Sequence, residues 1–167
     1  MTYKLIASSI VGSSGAASIT FSSIPQDYTD LAIRISCRTN GASLGDGFTI
    51  ALNGSTASFT SKSVFGDSAS ARSSTGTTAG VGVVAGTSQA ANIFAATDVY
   101  INDYSSSNFK PILTQNANDS NTTLQAYVFQ DGKLWSNTAA ITNFTLTPGA
   151  GSWVQYTSVH LYGIKNS

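Results

Sequence analysis

Glutamate is missing from this 167-residue chain: all 8 acidic residues are aspartate, set against 8 lysines and arginines. Charged residues make up only 10%, where an ordinary soluble domain carries roughly 25%. Without Glu, and with few Lys, Arg and Leu, the chain lacks the residues that usually cover helix surfaces. A formal net charge of +0 leaves nothing to neutralise a phosphate backbone, so nucleic acid is excluded as a partner. No run approaches the roughly 18 apolar residues of a membrane-spanning helix, and no membrane association is expected. The start, Met1-Thr2-Tyr3-Lys4-Leu5-Ile6, passes directly into a strand pattern and does not read as a signal peptide.

Two further scarcities exclude chemistry. Cys37 is the only cysteine, so no intrachain disulfide forms; alternation with Leu31, Ile33 and Ile35 turns it toward the core. His160 is the only histidine. One His and one Cys, far apart, make no transition-metal site. The oxygen-rich stretch 116–121 lacks the ordered spacing of a calcium loop. A Ser–His–Asp triad needs a serine on a sharp turn such as G-x-S-x-G, and none occurs. Gly80-Val81-Gly82-Val83 is followed by no Gly-Lys-Ser/Thr and is not a phosphate loop. Paired carboxylates for glycosidase work are unpromising, because Asp27, Asp30, Asp46, Asp67, Asp119 and Asp131 all read as turn residues. No enzyme, cofactor or metal is expected.

What the chain does have is apolar residues (41%) and a great deal of Ser and Thr, together roughly a quarter of all positions. These favour strands, turns and caps over helix interiors. Leu31 to Thr39 is the clearest strand, with Leu31, Ile33, Ile35 and Cys37 on one face and Ala32, Arg34, Ser36 and Arg38 on the other. Tyr3–Val11, Ala17–Ser23, Phe48–Leu52, Phe59–Phe65, Ile93–Tyr104, Phe109–Asn116 and Thr122–Gln130 read as further strands. Asn53-Gly54 is a strong hairpin turn. Pro111 suggests an edge position or a bulge, and Asp131-Gly132-Lys133 reads as a turn. Residues 66–91 are rich in small residues. They read either as a long exposed loop with a short strand, or as a glycine-rich strand close to another backbone. Nine to eleven short strands without helix predict one domain over residues 1–167, an all-β antiparallel sandwich.

The chain closes on two strand-like runs, Ala140–Thr147 and Val154–Ile164, around Pro148-Gly149-Ala150-Gly151. In the second run Val159 and Leu161 share one face, while Tyr156, His160 and Tyr162 share the other. That aromatic face is a candidate subunit interface, since aromatics are enriched there. The run is expected to pair with the opening strand. Trp135 and Trp153, with Tyr28 and Tyr104, lie in or beside loops and are candidates for stacking on a sugar.

Three blocks carry a family resemblance: TYKLIASSIVGSSGAASITFSSIPQDYTDLAIRISCRT, VYINDYSSSNFKPI and LWSNTAAITNFTLTPGAGSWVQYTSVHLYGIKNS. Within them stand the elements Ser23–Leu31, Leu134–Thr142 and Leu161–Ile164. In these blocks the chain resembles small all-β virion proteins of tailed bacteriophages, either capsid-decorating (cement) or minor tail proteins. The resemblance implies a jelly-roll-like sandwich, a homotrimer, and attachment to the major capsid protein on the outer surface of the virion head. The alternative is a tail or fibre-tip module that recognises a host glycan. No heptad stalk or separate anchoring domain accompanies the sandwich, which favours decoration.

Overall fold

The computed structural model describes residues 2–120 and 126–165. Across them the chain forms twelve antiparallel strands and no helix. They are β1 Thr2–Ile10, β2 Ile19–Phe21, β3 Asp30–Cys37, β4 Asp46–Leu52, β5 Phe59–Gly66, β6 Ala71–Gly76, β7 Gly80–Val84, β8 Ala95–Ile101, β9 Lys110–Asn118, β10 Tyr127–Trp135, β11 Phe144–Pro148 and β12 Ser158–Lys165. The turn Asn53-Gly54 closes a two-residue hairpin loop, with φ of +50° and +77° at its centre.

Four nested pairs define the topology: β1 with β12, β2 with β11, β3 with β8, and β4 with β7. This is one long antiparallel ladder. Rolled up, it brings β12 beside β3 and β11 beside β4 as well. The result is the eight-stranded jelly roll, with sheets β1-β12-β3-β8 and β2-β11-β4-β7. Two hairpins are inserted into it. β9-β10 and β5-β6 both add to the β8 side of the first sheet, which grows to eight strands while the second keeps four.

The predicted pairing of the closing and opening strands is present. It runs from Thr2↔Lys165 to Ile10↔Ser158, with a bulge between Leu5 and Ala7. On β12 the inward positions are Val159, Leu161 and Gly163. Gly163 is required because the Tyr28 ring lies where a Cβ would stand.

Between the sheets of the roll, Leu31, Ile33 and Ile35 meet Phe48, Ile50, Leu52, Phe144 and Leu146, all buried. Phe21 stacks on Phe144 at 4.9 Å, and Phe48 meets Trp153 edge-on at 5.6 Å. Each such side chain contributes on the order of 1.5–3 kcal/mol. Cys37 is buried here as expected, and burial pushes its thiol up to about 12.

Several expectations are corrected. β12 begins at Ser158, not Val154; Tyr156 lies before it, in a left-handed turn at φ +71°. The final run of β11 begins at Phe144, after the Ala140–Asn143 segment has crossed as coil. β9 is an interior strand despite Pro111. Pro111 stands second in β9, and its carbonyl accepts from the Asn102 amide just beyond the end of β8, so its missing N–H disrupts little. Residues 66–91 hold two strands, β6 and β7, and the second is the glycine-rich strand close to another chain segment. Asp131-Gly132-Lys133 is no turn but the middle of β10. Asp30 and Asp46 open β3 and β4. The start of the expected strand Thr122–Gln130 lies outside the described residues; β10 begins at Tyr127.

Candidate functional site

Residues directly opposite in an antiparallel ladder project to the same face. The registers therefore place three rows across the outer face of the large sheet. One row runs His160, Arg34, Asp98, Gln115, Gln130, Val64. Beside it runs Ile10, Ser158, Ser36, Ala96, Ala117, Val128. On the other side runs Leu5, Tyr162, Ala32, Tyr100, Leu113, Gly132.

The small side chains of the second row leave a trough of about 550 Å³ over Ser36, Ala96 and Ala117, walled by Arg34, Val128 and His160. A hollow of about 200 Å³ adjoins it at Tyr3, Ala32, Tyr100 and Leu113. A third concavity of about 680 Å³ lies toward β6, over Lys62, Val64, Ser73 and Thr75. Of the eight large apolar side chains exposed among the described residues, Tyr3, Leu5, Ile10, Val64, Leu113 and Val128 are on this face. They are spread across it: Ile10 and Val128 stand at opposite ends of the second row.

Charge on the face is low. Arg34 Nε lies 3.9 Å from Asp98 Oδ1, both side chains more than half exposed, a pair worth at most about 1 kcal/mol. The Tyr100 hydroxyl donates to Asp30 Oδ2 at 2.8 Å, and the Asp103 amide donates to Asp30 Oδ1 at 2.9 Å. Burial first, and the bond to Asp30 second, push the Tyr100 phenol up to about 12.

Two of the three residues expected at a subunit interface, His160 and Tyr162, are on this face. Tyr156 is not on it; its ring projects from the turn before β12. The two tryptophans expected to stack on a sugar cannot do so. Trp135 and Trp153 are buried, the first against Phe59, the second with its indole N–H donating to the Leu146 carbonyl at 3.3 Å. Tyr104 is buried as well, its hydroxyl donating to the Pro25 carbonyl.

The trough gathers Ser36, Ser158, His160 and Asp98 without making a triad of them. Asp98 is two strands from His160, on the order of 10 Å, and is paired with Arg34. No hydrogen bond joins His160 to either serine among the described residues. Nor do three His, Cys, Asp or Glu side chains cluster there to hold a metal ion.

A second polar constellation was not foreseen. On the inner face of β10, Asp131 and Lys133 form a fully buried ion pair, and Lys133 Nζ also donates to the Thr78 carbonyl at 3.5 Å. On β9, the Asn116 side chain accepts from the Val83 amide at 3.1 Å and donates to the Val83 carbonyl at 3.0 Å. It satisfies the open edge of β7 as a neighbouring strand would. Gly82 makes this possible, since a Cβ there would stand 2.9 Å from the Asn116 amide. The pair Asp131–Lys133 lies at the base of a cavity of about 320 Å³ that Ser61, Ser74, Thr78 and Gly82 also line. Period-two alternation through Phe129, Asp131, Lys133 and Trp135 was the signal that could have found it.

Comparison with protein-family models, with curated proteins and with solved structures finds no match to the chain.

Proposed function

We propose that this chain is a structural protein of a tailed-bacteriophage virion, a decoration (cement) protein that binds the outside of the assembled head and stabilises it. In this reading it sits on the major capsid protein as a homotrimer and performs no catalysis. The observation that carries the reading is the outer face of the large sheet. It is broad, nearly neutral and corrugated, with polar and apolar rows side by side, and suits shape-matched protein contact. The three sequence blocks supply the virion context, and the jelly roll agrees with what they imply. The mechanism is linkage: a protein that binds the closed shell and not its dissociated parts shifts the equilibrium toward the shell.

The glycan-binding alternative has no observation in its favour, because both of its tryptophans are buried. Gel densitometry of purified virions tests the proposal. Hundreds of copies per particle are expected. A few copies, or a few tens, would assign the protein to the tail and overturn the decoration reading.

A further inference from the structure

Tyr156 is the most exposed large apolar side chain described, at 69%, and it sits at φ +71°. A bulky residue in the left-handed region is a genuine outlier and costs on the order of 1 kcal/mol or more. Its surroundings hold it there. The Tyr156 amide donates to the Val11 carbonyl at 3.0 Å, and the Thr157 amide donates to the Val154 carbonyl at 3.1 Å. Thr157, fully buried, anchors the turn to the residue that follows β3 through its hydroxyl, which donates to the Arg38 carbonyl at 3.2 Å. The fold thus holds a tyrosine backbone in a strained turn, with its ring out in solvent, where a glycine would be comfortable. Tyrosine in such a setting is the residue type that anchors interfaces.

We propose that the Tyr156 ring of one copy inserts into the trough over Ser36, Ala96 and Ala117 of a neighbouring copy. The inference rests on the self-assembly within the function proposed above. The trough has the room, about 550 Å³, and a floor of small side chains on which a ring can lie flat. Its wall offers Arg34, Asp98 and His160 to the phenol hydroxyl. Charge agrees on both sides. The turn 151–157 carries no charged residue, and Arg34 and Asp98 are paired with each other, so docking leaves no charge newly unpaired. Six strands and three rows of the face span on the order of 600 Å², what one partner gives to an interface at the small, transient end of the range. Tyr156 stands two residues before Ser158, which lines the trough, so the knob of each copy adjoins the trough that its neighbour would fill.

The test uses the full chain and two readouts. Tyr156→Gly is expected to melt no lower than the wild type, since glycine takes the left-handed conformation freely. It is expected to weaken self-association about 30-fold in sedimentation. Second, Tyr156→Cys and Ala117→Cys chains are mixed and oxidised. Cys37 does not compete, being buried with its thiol pushed up to about 12. A 156–117 cross-link between copies, formed only in the mixture, is the expected result. Unchanged association of Tyr156→Gly overturns the proposal. So does a mixture without cross-link, a Tyr156→Cys chain that cross-links to itself, or a wild type that stays monomeric at sub-millimolar concentration. Copy number in virions is read independently, so decoration can fail while this contact stands, and the reverse.

Discussion

The two halves of the large sheet bury different chemistry. Beneath β12, β3 and β8 the inward side chains are mostly aliphatic: Val159, Leu161, Leu31, Ile33, Ile35 and Val99, with Thr97 the polar exception. Beneath β9, β10 and β5 they are mostly polar: Thr114, Asn116, Asp131, Lys133, Ser61 and Ser63. The first half is roofed by the four-stranded sheet. The second extends past β7, where that sheet ends. Polar side chains there do the work of an absent strand, with Asn116 capping Val83 and Lys133 reaching the Thr78 carbonyl. An unprotected edge strand invites pairing with another chain. The roll is held by non-directional burial, the extension by specific bonds that fail individually. Four substitutions sharpen or break that contrast.

Trp153→Ala strikes the rolled half. It empties the space beside Phe48 and removes the bond to Leu146, and is expected to cost about 3–5 kcal/mol in urea unfolding. In the extension, Lys133→Met leaves the Asp131 carboxylate buried without its cation, at a cost of roughly 3–5 kcal/mol. Adding Asp131→Leu should recover most of that loss, because two apolar groups need no partner. Additive losses in the double variant would mean the pair is not the unit described here. Asn116→Ala is expected to cost about 1–3 kcal/mol and to raise aggregation, seen by light scattering, because the Val83 amide and carbonyl lose their cap.

The smallest effect depends on pH. The Tyr100 phenol is pushed up to about 12 in the folded chain, from an ordinary value of 10. The folded state therefore holds that proton more tightly than the unfolded state. The stabilisation is complete below pH 10 and is lost as pH rises through about 12. Tyr100→Phe should flatten the stability profile over that window, and an unchanged slope would remove Tyr100 as its cause.

What was legible in the sequence follows the same division. Leu31 to Cys37 could be read directly, because one face is apolar and the other wet. The pairing of the closing and opening strands could be expected because sandwiches commonly bring their termini together. β10 was legible only as far as Gln130, because Asp131, Gly132 and Lys133 have the composition of a turn and only the wider alternation from Phe129 to Trp135 carries the strand through them. β6 was hidden because every position on it but Gly76 is exposed. Tyr156 looked like a continuation of β12, since a left-handed residue leaves no mark when it is not glycine. Of the candidate face, His160 and Tyr162 were found from spacing. The trough beside them was not, because its floor of Ser36, Ala96 and Ala117 comes from three strands far apart in the chain.

Imaging the intact particle tests the central claim most directly. A decoration protein predicts this jelly roll in a regular array over the outer surface of the head. Density for it confined to the tail, or absent from the particle, would contradict the account.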